Sequence, residues 1–82
     1  MGKDVKDIKK DILDQFRAME GEENDILPEN WLIKEYLPYL NPYEKKDFDK
    51  AIRQLAAKGF VKYEKGPVPR LKLTEKGANL IH

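Results

Sequence analysis

The sequence predicts a small α+β domain of three helices, a two-stranded β-hairpin and a short C-terminal helical turn. Apolar residues recur at three- and four-residue spacing up to Gly59 and at two-residue spacing after it, the mark of helices followed by strands. Glycine and proline punctuate the boundaries between these stretches. With 82 residues, 40% of them hydrophobic and 38% charged, the chain has room for one core and one domain, residues 1–82.

Val5, Ile8, Ile12, Phe16 and Met19 form one stripe of a first helix from about Asp4 to Glu20, with Gly21 as its stop. The acidic stretch Glu20 to Asp25 lacks the alternating oxygen ligands and central glycine of a calcium loop and reads as a solvated connector. Pro28 suits the first turn of a short second helix, whose apolar side is Trp31, Leu32, Tyr36 and Leu37, and Pro38 ends it or forces its last turn open. Trp31 is expected in the core. Asn41 as N-cap, Pro42 at the first helical position and Glu44 three residues after the cap start a third helix. Its buried stripe is Phe48, Ala51, Ile52, Leu55 and Ala56, and Lys58-Gly59 closes it. Val61 and Tyr63, then Leu71 and Leu73, alternate with polar residues across a tip at Gly66-Pro67-Val68-Pro69. Thr74 caps a last turn that folds Ala78, Leu80 and Ile81 onto the core.

Several function classes lose support. Without cysteine there is no disulfide framework and no thiolate zinc site, and a lone histidine, His82, leaves no metal site and no cofactor to expect. No stretch nears the roughly 20 apolar residues of a bilayer span, and neither end carries a lipidation signal, so a cytoplasmic, membrane-free protein is expected. No nucleophile–base pair, glycine-rich phosphate loop or pocketed carboxylate suggests an enzyme or a small-molecule site. A core of this size supplies only about 3–5 kcal/mol, which makes a homodimer or a protein partner a reasonable expectation.

Net charge is only +1, but it is unevenly placed. Residues 1–41 hold six bases and ten acids, a net −4, whereas residues 42–82 hold ten bases and five acids, a net +5. Such asymmetry suggests an anionic partner for the second half.

Helix, short helix, tight turn, helix, hairpin and terminal turn is the order of a helix-turn-helix followed by a wing, and the chain resembles a winged-helix domain. Phe48-x-x-x-Ile52-x-x-Leu55-x-x-Lys58-Gly59-Phe60-Val61, then Leu71-x-Leu73-Thr74-Glu75-Lys76-Gly77, is similar to the third helix and wing of MarR- and PadR-type bacterial transcription regulators. The Leu-Thr-Glu-Lys-Gly run is its most specific part. Those regulators usually carry further helices for dimerisation or ligand sensing, and this chain holds the minimal domain.

The resemblance implies a double-stranded DNA partner met by the third helix in the major groove and by the wing on the backbone. Taking Phe48 as the centre of the buried side, about 100° per residue turns Lys46, Lys50, Arg53 and Ala57 outward. Arg53 is the candidate for bidentate guanine contact, and Lys46 and Lys50 for phosphate. Asp49 can pair with Arg53 and Asp47 with Lys50, both of which oppose a phosphate. Lys62, Arg70 and Lys72 share the hairpin's solvent face, and Lys65 and Arg70 bracket its tip. Tyr39 and Tyr43 enter the third helix, where a phenol could reach phosphate or else cover the core; Tyr43 joins the candidate DNA-binding set. The alternative is a winged helix that serves as a protein-interaction module without DNA binding.

Overall fold

Asp4 begins the first helix, α1 (Val5–Ala18), through a capping box in which Asp7 N–H donates to the Asp4 carboxylate at 2.9 Å and Asp4 N–H donates back to Asp7 at 3.3 Å. This computed structural model describes residues 2–64, 66–67 and 70–82. Ile8, Ile12 and Phe16 are fully buried on one face of α1. At its end Glu20 N–H donates to the Arg17 carbonyl and Gly21 N–H to that of Phe16, a Schellman closure whose left-handed residue is Glu20, φ 53°. Gly21 follows one position later than a glycine stop would stand. A Cβ there would crowd Leu73 Cδ2 and the Phe16 carbonyl, both at 3.1 Å, so close approach rather than conformation requires the glycine.

Of the two outcomes expected at Pro38, the second helical segment shows the altered last turn and runs on through the proline. Its middle, Trp31–Tyr36, is wound as a π-helix, with Leu37 N–H donating to the Leu32 carbonyl, and Leu37–Tyr39 tightens into a 3₁₀ turn that has Pro38 near its start. A proline inside an α-helix would clash with the carbonyl four residues back. The change of winding removes that clash and lets both Leu32 and Tyr36 reach the core. Trp31 is half-buried, stacked on Tyr36 with ring centroids 4.8 Å apart, so it flanks the core rather than filling it. The Tyr36 hydroxyl donates to Asp11 at 2.8 Å, and burial together with that bond pushes its pKa well above the ordinary tyrosine value.

Helix α2 (Pro42–Ala57) starts as its sequence predicts. Glu44 N–H donates to Asn41 Oδ1 at 2.8 Å and Asn41 N–H donates to Glu44 Oε1 at 2.9 Å. Glu44 also accepts from Lys3 N–H at 2.7 Å, which straps the segment before α1 onto the start of α2. The Asn41 bond first, then the Lys3 bond and charge, hold this carboxylate below its ordinary pKa of 4.5. A depressed pKa stabilises the fold above the unfolded value and loses that effect as pH falls through the folded one. Thermal denaturation from pH 6 down to pH 3 should therefore show a smaller loss of stability for Glu44→Gln than for the parent, and identical pH profiles would refute this role. Phe48, Ala51, Ile52 and Leu55 face inward, and a second Schellman closure runs through Gly59, φ 81°.

Strands β1 (Val61–Glu64) and β2 (Arg70–Leu73) pair antiparallel, Val61 opposite Leu73 and Lys62 opposite Lys72. The expected solvated connector contributes to this sheet. Ile26 bridges Lys72, Asn24 N–H donates to the Leu73 carbonyl, Leu73 N–H to that of Asp25 and Leu27 N–H to that of Leu71. β2 is therefore the middle of three extended segments. Val61, Leu71 and Leu73 face the core, and Leu27 is buried beside them.

The terminal turn is a seven-residue helix, α3 (Glu75–Ile81), and it accounts for the Leu-Thr-Glu-Lys-Gly run. Leu73 is fully buried; Thr74 caps Gly77 N–H at 3.0 Å, and its hydroxyl also lies 3.0 Å from the Phe60 carbonyl. Lys76 Nζ donates to the Lys58 carbonyl at 2.7 Å, over the ring of Phe60. Gly77 is buried against Phe60. Thr74, Lys76 and Gly77 thus join the chain after the hairpin to the end of α2. Ile81 returns to the core as expected, whereas Leu80 is turned outward at 45% exposure. His82 Nε2–H donates to the Gly21 carbonyl at 2.7 Å. The whole is a small α+β domain with four helical segments around one core, and among the described residues no helix is long and apolar enough to cross a membrane.

Candidate nucleic-acid interface

Burial of Phe48, Ala51, Ile52 and Leu55 decides which side of α2 meets solvent. At about 100° per residue, Tyr43, Lys46, Lys50, Arg53 and Ala57 fall within an arc of about 80°, and all five are exposed. Lys45 and Lys58 are exposed as well. Every base from 42 to 58 is thus open to solvent, while the acids Glu44, Asp47 and Asp49 are each partly covered. Glu44 is further engaged by the two backbone N–H groups of Asn41 and Lys3.

One of the two opposing carboxylates behaves as its spacing suggests. Arg53 Nη2 lies 3.1 Å from Asp49 Oδ2, an exposed i, i+4 pair of the kind worth at most about 1 kcal/mol. Asp47 and Lys50 do not form an ion pair among the described residues.

The hairpin residues form a separate group on the outward face of the sheet. Lys62 and Lys72 stand directly opposite each other, like charges across an antiparallel pair, an arrangement that is unfavourable until an anion lies between them. Lys72 is half-buried because Ile26 borders it on the other side. Arg70 is opposite Glu64 and bonds through Nε to Glu29 Oε1 at 3.1 Å. Lys65, with Val68 and Pro69 of the tip, lies outside the described residues.

Two features had no sequence signal or a misleading one. Glu29 is 41 residues from its partner Arg70, too far for any spacing rule to connect them. Tyr39 and Tyr43 cover no core at all, being 80% and 79% exposed. No protein-family model, no curated protein and no solved structure matches the chain.

Proposed function

We propose that the chain is a winged-helix domain that binds duplex DNA, with α2 in the major groove and the hairpin as a wing on the backbone, in the manner of a small cytoplasmic transcription regulator. The element order supports it: helix, bridging segment, short helix, turn, helix, hairpin. The observation that carries it is the sorting of charge along residues 42–58, where all five bases are exposed and the three acids are partly covered. Phosphate contacts from such a face supply affinity without sequence information. In this reading Lys46 and Lys50 neutralise phosphates, and Arg53 exchanges Asp49 for the O6 and N7 of a guanine. That exchange is cheap because the existing pair is exposed, whereas a good bidentate contact discriminates by about 1–3 kcal/mol. Lys62, Arg70 and Lys72, with Lys65 at the tip, serve the backbone beside the groove.

The test is a titration of isotopically labelled protein with a mixed-sequence duplex at low and at physiological salt, following backbone amides. Salt-sensitive shifts concentrated in residues 43–54 and 62–72 are the expected result. Absence of shifts at either salt would overturn duplex binding and favour the protein-interaction module.

A further inference from the structure

We infer that Tyr39 and Tyr43 form a stacking site for unpaired DNA bases, adjoining the duplex contact of α2. The inference rests on the DNA reading and adds a second ligand chemistry to it. These two rings are the most exposed of the large apolar side chains among the described residues, 80% and 79% against 45% for the next, Leu80. Tyr36 is buried and spends its hydroxyl on Asp11, while neither Tyr39 nor Tyr43 makes a side-chain hydrogen bond among the described residues.

Both rings stand on backbone that is already ordered. Tyr39 ends the 3₁₀ turn containing Pro38, closed by Leu40 N–H on the Leu37 carbonyl at 3.1 Å. Tyr43 follows Pro42 inside the Asn41–Glu44 capping box. A ligand therefore meets aromatic faces whose main chain loses little further freedom. Tyr43 shares its arc of α2 with Lys46 and Lys50, and Lys45 is exposed beside it.

Open aromatic faces beside mobile cations suit a ligand that offers a flat ring and an anion together, which is what a nucleotide with an unstacked base presents. Inside a continuous duplex the base faces are covered by their neighbours, so the rings fit an overhang or an opened end. A protein partner fits less well, because lysine is depleted at protein interfaces and lysines are the charged neighbours here.

The experiment compares binding of a fluorescent blunt duplex with two versions of the same duplex that carry a short single-stranded overhang, one with normal bases and one abasic. The overhangs have equal phosphate charge and differ only in rings. The parent protein is expected to bind the base-bearing overhang about tenfold or more tightly than the abasic one, since stacking on one base is worth about 1–3 kcal/mol. Tyr39→Ala/Tyr43→Ala, whose removed side chains are exposed, should abolish that preference. Equal affinity of the parent for both overhangs, with blunt-duplex binding intact, would overturn the stacking site alone. Failure to bind any of the three at low salt would overturn the DNA reading together with it.

Discussion

Gly77→Ala is expected to remove a large share of the domain's stability and lower its melting point markedly. A Cβ at this position would sit inside the van der Waals envelope of the Phe60 carbonyl oxygen and 2.7 Å from Leu73 Cδ1. Neither neighbour can yield cheaply. The Phe60 carbonyl is backbone and accepts from Thr74 N–H at 3.1 Å, and Leu73 is fully buried. Alanine's better helix propensity returns only about 1 kcal/mol. Overpacking against backbone should cost about 3 kcal/mol or more, against a total of roughly 3–5 kcal/mol for a core of this size. With that return subtracted the net loss is about 2 kcal/mol or more, and at about 4–8 °C per kcal/mol the midpoint should fall by at least about 8 °C in a circular-dichroism melt. Gly59→Ala is the contrast. There the added carbon has open space, its nearest neighbour Lys76 Cδ at 3.7 Å, and the cost is the left-handed backbone alone, about 1–2 kcal/mol. Equal melting points for the Gly77 variant and the parent would show that the hairpin does not close on α2 through this contact.

The second large effect belongs to the basic face of α2. Lys46→Ala/Lys50→Ala/Arg53→Ala removes three exposed side chains and no core contact, so the fold should persist. Each phosphate neutralised contributes about 0.9 to the slope of log affinity against log salt. With Lys46 and Lys50 on phosphates, the slope should drop by nearly two and duplex affinity near 0.1 M salt should fall about 10²-fold. The control is Lys6→Ala/Lys10→Ala, two equally exposed lysines on α1, which should change both quantities far less. A triple variant indistinguishable from that control would show that α2 is not the surface that meets phosphate.

The elements with strong local signals were legible in the amino-acid order. Asn41, Pro42 and Glu44 form the capping box that their spacing announces, and Lys58-Gly59 closes α2 as a cation and a left-handed glycine should. The outward turn of Lys46, Lys50 and Arg53 followed from helical period, because Phe48 and Ile52 define the opposite side. Features made by long-range contact were not. A one-residue bridge at Ile26 has no period to detect, and the acidic residues around it mask an extended segment. At Pro38 the sequence left open an end or an altered last turn, because ordinary α-helical winding forbids it, and the π-to-3₁₀ change that accommodates it depends on Leu32 and Tyr36 both seeking the core. The Tyr39 and Tyr43 rings run against the general tendency of aromatics to be covered, and only the geometry of the turn shows them outside.

The bridge at Ile26 also bears on how this sheet meets other molecules of its kind. With β1 on one side and residues 24–27 on the other, the middle strand β2 has no unpaired rim for a further chain to extend. The outer rims are those of residues 24–27, which pair through a single bridge, and of β1, four residues long with Lys62 and Glu64 on its outward face. A short, charged rim of that kind is a poor template for strand addition, so neighbouring copies in a concentrated solution have little opportunity to join edge to edge into fibrils.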